Sequence, residues 1–150
     1  MKRTIILSLL LVLVCLAKAQ SPVTWQYTAT KTGPGQFEVH LKAIIQEGWH
    51  VYAQEQPEDA IAVPTAIKFT GNPVLTLTGK PKEQGEKQHF KDSELGISAW
   101  QYANKVEFVQ QVILKVRGTT NLNGSITFQA CTDEKCLPPA TIDFSIHLEG

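Results

Sequence analysis

The sequence predicts an all-β protein, an immunoglobulin-like antiparallel β-sandwich in a single domain. Three observations predict it. Apolar and polar residues alternate with a period of two over most of the chain, as in strands with one buried and one wet face. Turn signals rich in Gly, Pro and Asn separate the alternating runs at short intervals. No segment carries the i, i+3, i+4 apolar spacing of an amphipathic helix. A barrel is the second architecture this pattern allows.

Residues 1–19 read as a secretory signal peptide. Lys2 and Arg3 precede an apolar run over residues 5–17, and Ala17 and Ala19 stand where a signal peptidase reads small residues. The run is shorter than the roughly 20 residues that span a bilayer. Cys15 raises the alternative of a lipoprotein signal, but the bulky Val14 before it argues against that. Residues 20–150 then form the mature domain, long enough for one core and with no further apolar run that could cross a membrane. With 14 basic and 14 acidic residues, the formal charge of +0 leaves no electrostatic footprint for nucleic acid.

The strands follow in order. Residues 24–30 form a weak candidate before the turn at Gly33-Pro34-Gly35. Phe37, Val39, Leu41, Ala43 and Ile45 make a clear buried face, and Glu47-Gly48 ends that strand. Residues 49–53, 66–70 and 74–77 are weaker candidates, the last two separated by Gly71-Asn72-Pro73. Residues 79–98 are polar and carry Pro81, Gly85 and Gly96, so they read as one long loop. That loop holds His89 and Phe90, and an exposed Phe calls for something to cover. Val106, Phe108, Val112, Leu114 and Val116 share one parity, interrupted by Gln110, and Gly118 marks the next turn. Asn123-Gly124 reads as a further turn. Ile126, Phe128 and Ala130 then lead into Cys131, and Ile142, Phe144, Ile146 and Leu148 form the closing strand.

Chemistry concentrates in "ACTDEKCLPPA", residues 130–140. Without the signal, two cysteines remain in an oxidising compartment, which makes a Cys131–Cys136 disulfide the default expectation. The pair sits at a hairpin end between two strands. So short a closed loop removes only ~2 kcal/mol of unfolded-state entropy in the chain-entropy picture, which leaves a structural staple and a reactive dithiol both open. No second Cys pair accompanies Cys-x4-Cys, and His40, His50, His89 and His147 are scattered, so no metal or other cofactor is expected. Copper(I) on the two thiolates is the remaining metal alternative. No Gly-x-Ser-x-Gly elbow and no nucleotide loop is present. In "GWHVYA", residues 48–53, Trp49 and Val51 share one parity and His50 and Tyr52 the other. His50 and Tyr52 are thus either an ordinary exposed pair or residues that together flank a site.

Taken together, "GWHVYA", the "HF" loop, "VEFVQQV" and "ITFQACTDEKCLPPATIDFSI" resemble the periplasmic N-terminal (alpha) domain of the DsbD thiol:disulfide interchange protein, over nearly the whole mature chain. The resemblance implies a periplasmic immunoglobulin-like domain that passes reducing equivalents through an exchangeable pair, Cys131 and Cys136, with Cys136 forming the mixed disulfide. His50 and Tyr52 fall where that family has a Tyr-x-Tyr pair. Phe90 would be the tip of a cap loop over the cysteines, and Pro138 would help present Cys136. The implied partners are thioredoxin-like redox proteins and a separate membrane electron carrier on one side. On the other are oxidised periplasmic clients such as disulfide isomerases and cytochrome c maturation proteins. Three features depart from the family: the cysteine spacing is one residue shorter than in its best-known members, His50 replaces an aromatic hydroxyl, and the loop that carries Phe90 is longer. Outside the resemblance stand two alternatives, a stapled immunoglobulin-like binding module and a copper(I)-handling protein.

Overall fold

The computed structural model describes residues 20–150. The expected signal peptide, residues 1–19 with Cys15, lies outside the described residues. All described secondary structure is β, and every strand pairing is antiparallel. The strands are β1 (Val23–Gly33), β2 (Gln36–Ile45), β3 (His50–Tyr52), β4 (Ala66–Phe69), β5 (Leu75–Gln84), β6 (Lys87–Asp92), β7 (Ile97–Ala103), β8 (Lys105–Leu114), β9 (Thr119–Phe128), β10 (Ala130–Cys131) and β11 (Ala140–Glu149). They form sheets in the orders β1-β2-β8-β5, β10-β3-β7-β6 and β11-β9-β4.

Period-two burial builds the core from facing layers. Phe37, Val39, Leu41, Ala43 and Ile45 of β2 join Val106, Phe108, Val112 and Leu114 of β8. Leu122, Ile126 and Phe128 of β9 and Phe144, Ile146 and Leu148 of β11 meet them, and Val51, Tyr102 and Ala130 enter from the sheet that holds β3 and β7. Gln110 does not interrupt the buried parity of β8; it belongs to it, at 1% exposure. Its side-chain amide donates to the carbonyl oxygens of Thr78 and Gly79 at 3.1 and 3.3 Å. There the register of β5 slips between Thr78 and Lys82, and the Gln110 amide bonds the backbone at that irregularity.

Three expectations are corrected. Residues 79–98 are not a loop. They are the end of β5, all of β6 and the start of β7, folded as a hairpin with Phe90 opposite Ala99. β6 is exposed along almost its whole length, so it lacks the buried face that makes a strand visible as alternation. Asn123-Gly124 is not a turn but lies inside β9, where Gly124 stands opposite Phe69 on one side and Phe144 on the other. A Cβ there would sit 2.5 Å from Cζ of Phe144 and against the carbonyl oxygen of Lys68, so the glycine answers a close approach. Val116 lies beyond the end of β8 and is exposed, because the strand stops at Leu114.

One polar knot ties the sheets together behind β3. The Glu83 carboxylate accepts from the Gln54 amide at 2.6 Å, the Tyr102 hydroxyl at 2.7 Å and Lys87 Nζ at 2.9 Å. Burial pushes this carboxyl up, but those three hydrogen bonds and the Lys87 charge outweigh it and hold the group below the ordinary glutamate value. Burial, and then the same carboxylate, drive the Tyr102 hydroxyl upward, so it stays a donor.

Two outcomes follow. Gly124→Ala overpacks β9 against Phe144 and costs about 1–3 kcal/mol in denaturant unfolding. Glu83 has a lowered folded-state pKa, so its stabilisation is present above the unfolded value and lost as pH falls through the folded one. Glu83→Gln therefore lowers stability near neutral pH and flattens its decline on acidification, as measured by thermal unfolding across a pH series.

Candidate functional site

The site forms where the chain changes sheets. β9 ends at Phe128, and after Gln129 the two residues of β10 pair with β3 instead, Ala130 opposite Val51 and Cys131 opposite His50. Alternation then sorts the side chains. Ala130, Val51 and Tyr102 point into the main core. Cys131 and Tyr52 lie on the other face, where with Ala99 of β7 they form a small separate cluster covered by Ala62.

His50 joins this face. Its ring meets Tyr52 edge-on with centroids 5.4 Å apart, and its Nε2 lies 3.4 Å from the Tyr52 hydroxyl oxygen, a long hydrogen bond. Both residues are buried, not exposed as in the ordinary reading of the alternation, with His50 8% accessible. Burial lowers the His50 imidazole below its usual value, and the Asp133 charge opposes that shift in part. Burial also raises the Tyr52 hydroxyl.

Cys131 and Cys136 are joined by a disulfide. The two sulfurs differ in environment, for Cys131 is 1% accessible and Cys136 is exposed. Local hydrogen bonds shape the loop between them. The Thr132 amide donates to the Lys135 carbonyl at 2.7 Å, and the Thr132 hydroxyl accepts from the amides of Glu134 and Lys135 at 3.2 and 3.1 Å. The Leu137 amide returns to the Ala130 carbonyl at 2.9 Å. Lys135 lies over the Trp49 ring, 5.7 Å from Nζ to the centroid. Pro138 is exposed in the extended segment that leads to β11.

Phe90 lies further along the same sheet. It is 41% exposed on β6, the edge strand two strands beyond β3, and its register partner Ala99 is the residue that reaches the Cys131 cluster. Residues 53–65, between β3 and β4, bring Ala62 over the cysteine side. This segment is pinned to β7. Gln56 bonds both backbone groups of Trp100, donating at 2.7 Å and accepting at 3.0 Å, and the Ser98 hydroxyl donates to Asp59 at 2.8 Å. Gln129 links it to the cysteine loop, accepting from the Val63 amide at 3.3 Å and donating to the Leu137 carbonyl at 3.1 Å. Sequence reasoning missed Ala62, Ala99, Gln129 and Asp59. Alanines carry no chemical signal, and the run of Gln, Glu, Asp and Pro across residues 54–64 has no period to place it.

Among the described residues, no group of three His, Cys, Asp or Glu side chains is assembled to hold a metal ion. His40 faces Glu107, His89 stacks on Trp100 and His147 meets Asn121. No helix of the described residues is long and apolar enough to cross a membrane.

The profile described as the thiol:disulfide interchange protein DsbD, N-terminal, matches residues 18–147. No curated protein sequence matches the chain. Among solved structures, the N-terminal periplasmic domain of ScsB from Proteus mirabilis aligns with a TM-score of 0.57 at 22% identity, over 87% of this chain and 47% of that one. The chain thus spans about half of the ScsB structure it matches. The reduced DsbD N-terminal domain of Neisseria meningitidis aligns with a TM-score of 0.54 at 17% identity, over 84% of this chain and 86% of that one. A complex between the DsbD N-terminal and PilB N-terminal domains of the same organism gives 0.55 at 15% identity, over 85% and 87%. At these identities the structures speak for the immunoglobulin-like fold, and the profile speaks for the family.

Asp59→Ala frees one anchor of residues 53–65. A single lost hydrogen bond of about 1 kcal/mol makes local opening roughly fivefold more frequent, so the reduced Cys131 thiol should be alkylated faster by that factor. An unchanged alkylation rate would show that Ala62 does not shield Cys131.

Proposed function

The chain belongs to the family of N-terminal domains of the thiol:disulfide interchange protein DsbD, and on that premise we propose that it carries reducing equivalents by thiol–disulfide exchange through Cys131 and Cys136. The observation that carries this reading is the unequal exposure of the two sulfurs. An attacking thiolate needs an approach to the sulfur it attacks. Cys136 is exposed and offers one, whereas Cys131 is sealed by Tyr52, Ala99 and Ala62.

Loading proceeds in two displacements. A thiolate of a reduced thioredoxin-like partner attacks Cys136 Sγ, the Cys131–Cys136 bond breaks, and Cys131 leaves as a thiolate that takes up a proton. The partner's second thiol then attacks its own sulfur of the mixed disulfide. Cys136 is released as a thiol, and two electrons have passed to the pair. Delivery reverses the sequence on an oxidised client. No cofactor takes part. The Neisseria complex of a DsbD N-terminal domain with a PilB N-terminal domain supports docking of a protein partner on this kind of domain. The ScsB relative, described as periplasmic, supports a periplasmic location. A separate membrane electron carrier and envelope disulfide proteins complete the scheme as donor source and clients. His50 and Tyr52 flank the pair, Pro138 follows Cys136 in the segment that presents it, and Phe90 lies on the neighbouring hairpin, at the rim of the surface a partner would meet.

A carrier couple is expected at roughly −200 to −270 mV, whereas a structural disulfide sits below about −300 mV. The Cys131→Ala variant, which leaves Cys136 unpaired, is expected to capture a thioredoxin-like protein from envelope extract as a reducible adduct. A potential in the structural range together with no adduct would instead support the stapled binding module.

A further inference from the structure

Resting on that exchange reading, we propose that His50 is the base that takes the proton from the Cys131 thiol when the reduced pair closes to its disulfide, with Tyr52 as the positioning residue for its ring. Closing is the second half of delivery. Cys136 has already attacked the client and holds it as a mixed disulfide. Cys131 must then attack Cys136 Sγ and expel the client's sulfur. Its own proton has to leave first, because the thiolate is the nucleophile.

The fold makes that deprotonation difficult without help. Cys131 is 1% accessible; of its cluster neighbours, Ala99 and Ala62 offer no polar group and the Tyr52 hydroxyl lies on His50. Burial in apolar surroundings disfavours a thiolate. His50 is its direct cross-strand partner. Antiparallel partners on one face bring their Cβ atoms to about 4.5–5.5 Å, within the reach of an imidazole. Tyr52 holds the ring through its hydroxyl, 3.4 Å from Nε2. When Nε2–H donates to that hydroxyl oxygen, Nδ1 carries the lone pair that accepts a proton.

The other groups facing this site do not compete for the role. Tyr52 is raised by burial and keeps its proton. Asp133, on the cysteine loop, is exposed and acts on His50 through charge, which favours the imidazolium formed when the proton arrives. Lys135 is held over Trp49. From β7 come Gln101, which does not titrate, and Ala99 and Ala103. Asp59, in the covering segment, is engaged by Ser98. The balance is complete. Cys131 Sγ–H gives its proton to His50, the thiolate forms the Cys131–Cys136 bond, and the Cys136–client bond breaks. The client thiolate leaves with the electron pair, and the proton on His50 passes to it or to water.

The test uses the whole mature domain. The reduced protein is mixed with an aromatic disulfide reagent whose thiolate absorbs in the visible, so attack by Cys136 and closing by Cys131 release two resolved bursts of colour. His50→Phe is expected to slow the second burst about 10²-fold near neutral pH, leaving the first unchanged. In the parent the second burst should also fall on acidification as His50 becomes protonated. His50→Gln keeps a polar side chain without a base and should slow the second burst as much; Tyr52→Phe should slow it less. In a Cys136→Ser background, His50→Phe should raise the pH at which Cys131 thiolate absorbance appears. An unchanged second burst in both His50 variants, or a loss in Phe that Gln restores, would overturn the proposal, the latter by showing that the ring only packs. No protein partner enters the assay. Failure to capture an envelope protein would therefore sink the carrier reading and leave this result standing, and the reverse.

Discussion

At Gln129 the chain leaves one ladder and joins another, and the candidate site depends on that step. β9 runs between β11 and β4, whereas β10 pairs with β3. The change sends Ala130 into the core and turns Cys131 to the opposite face, opposite His50. Had β9 continued in its own ladder, Cys131 would lie beside neither His50 nor Tyr52. Gln129 itself holds the junction, because its side-chain amide bonds the covering segment with one end and the cysteine loop with the other. The position of the Cys131 sulfur is thus set by backbone pairing, the most rigid feature a β-protein offers.

The rest of the domain keeps that pairing in place. β3 has only three residues, too few to hold a register alone. Val51 is anchored by the core, and Tyr102, its partner across β7, is anchored by Glu83. Glu83 also bonds the amide of Gln54, just past the end of β3. The half-buried Glu83 carboxylate has three donors, and Lys87 is the one that also balances its charge behind the strand that carries His50 and Tyr52.

How much of this was legible in the sequence follows from where each residue's signal comes from. β2, β8, β9 and β11 alternate between a dry and a wet face, so Phe37 to Ile45 and Ile142 to Leu148 declared their strands directly. β6 has no dry face, and its Lys, Gln and His side chains looked like a loop. Gly124 looked like a turn because Asn-Gly usually is one, while the Phe144 ring that demands a glycine is distant in sequence. At the site, Cys131, Cys136, His50 and Tyr52 could be singled out by residue type. The cover could not be. Its place over the cysteine depends on Gln56 and Asp59 finding the backbone and Ser98 of β7, contacts that no local pattern encodes.

An exchangeable disulfide must also open without unfolding its host, and the short Cys131–Cys136 loop meets that condition. Closing so small a loop contributes only ~2 kcal/mol through the unfolded chain, a fraction of the 5–15 kcal/mol typical of a domain. When the bond opens, other contacts still hold the loop. The Leu137–Ala130 and Thr132–Lys135 backbone bonds do not involve sulfur. The Thr132 hydroxyl still caps the turn, and Lys135 still rests on Trp49. On the proposed exchange reading, these sulfur-independent contacts would keep the two cysteines near one another after reduction, which would favour rapid closing. A disulfide bridging the two layers of the sandwich would close a far longer loop and stabilise the fold more, and for that reason would serve a carrier less well.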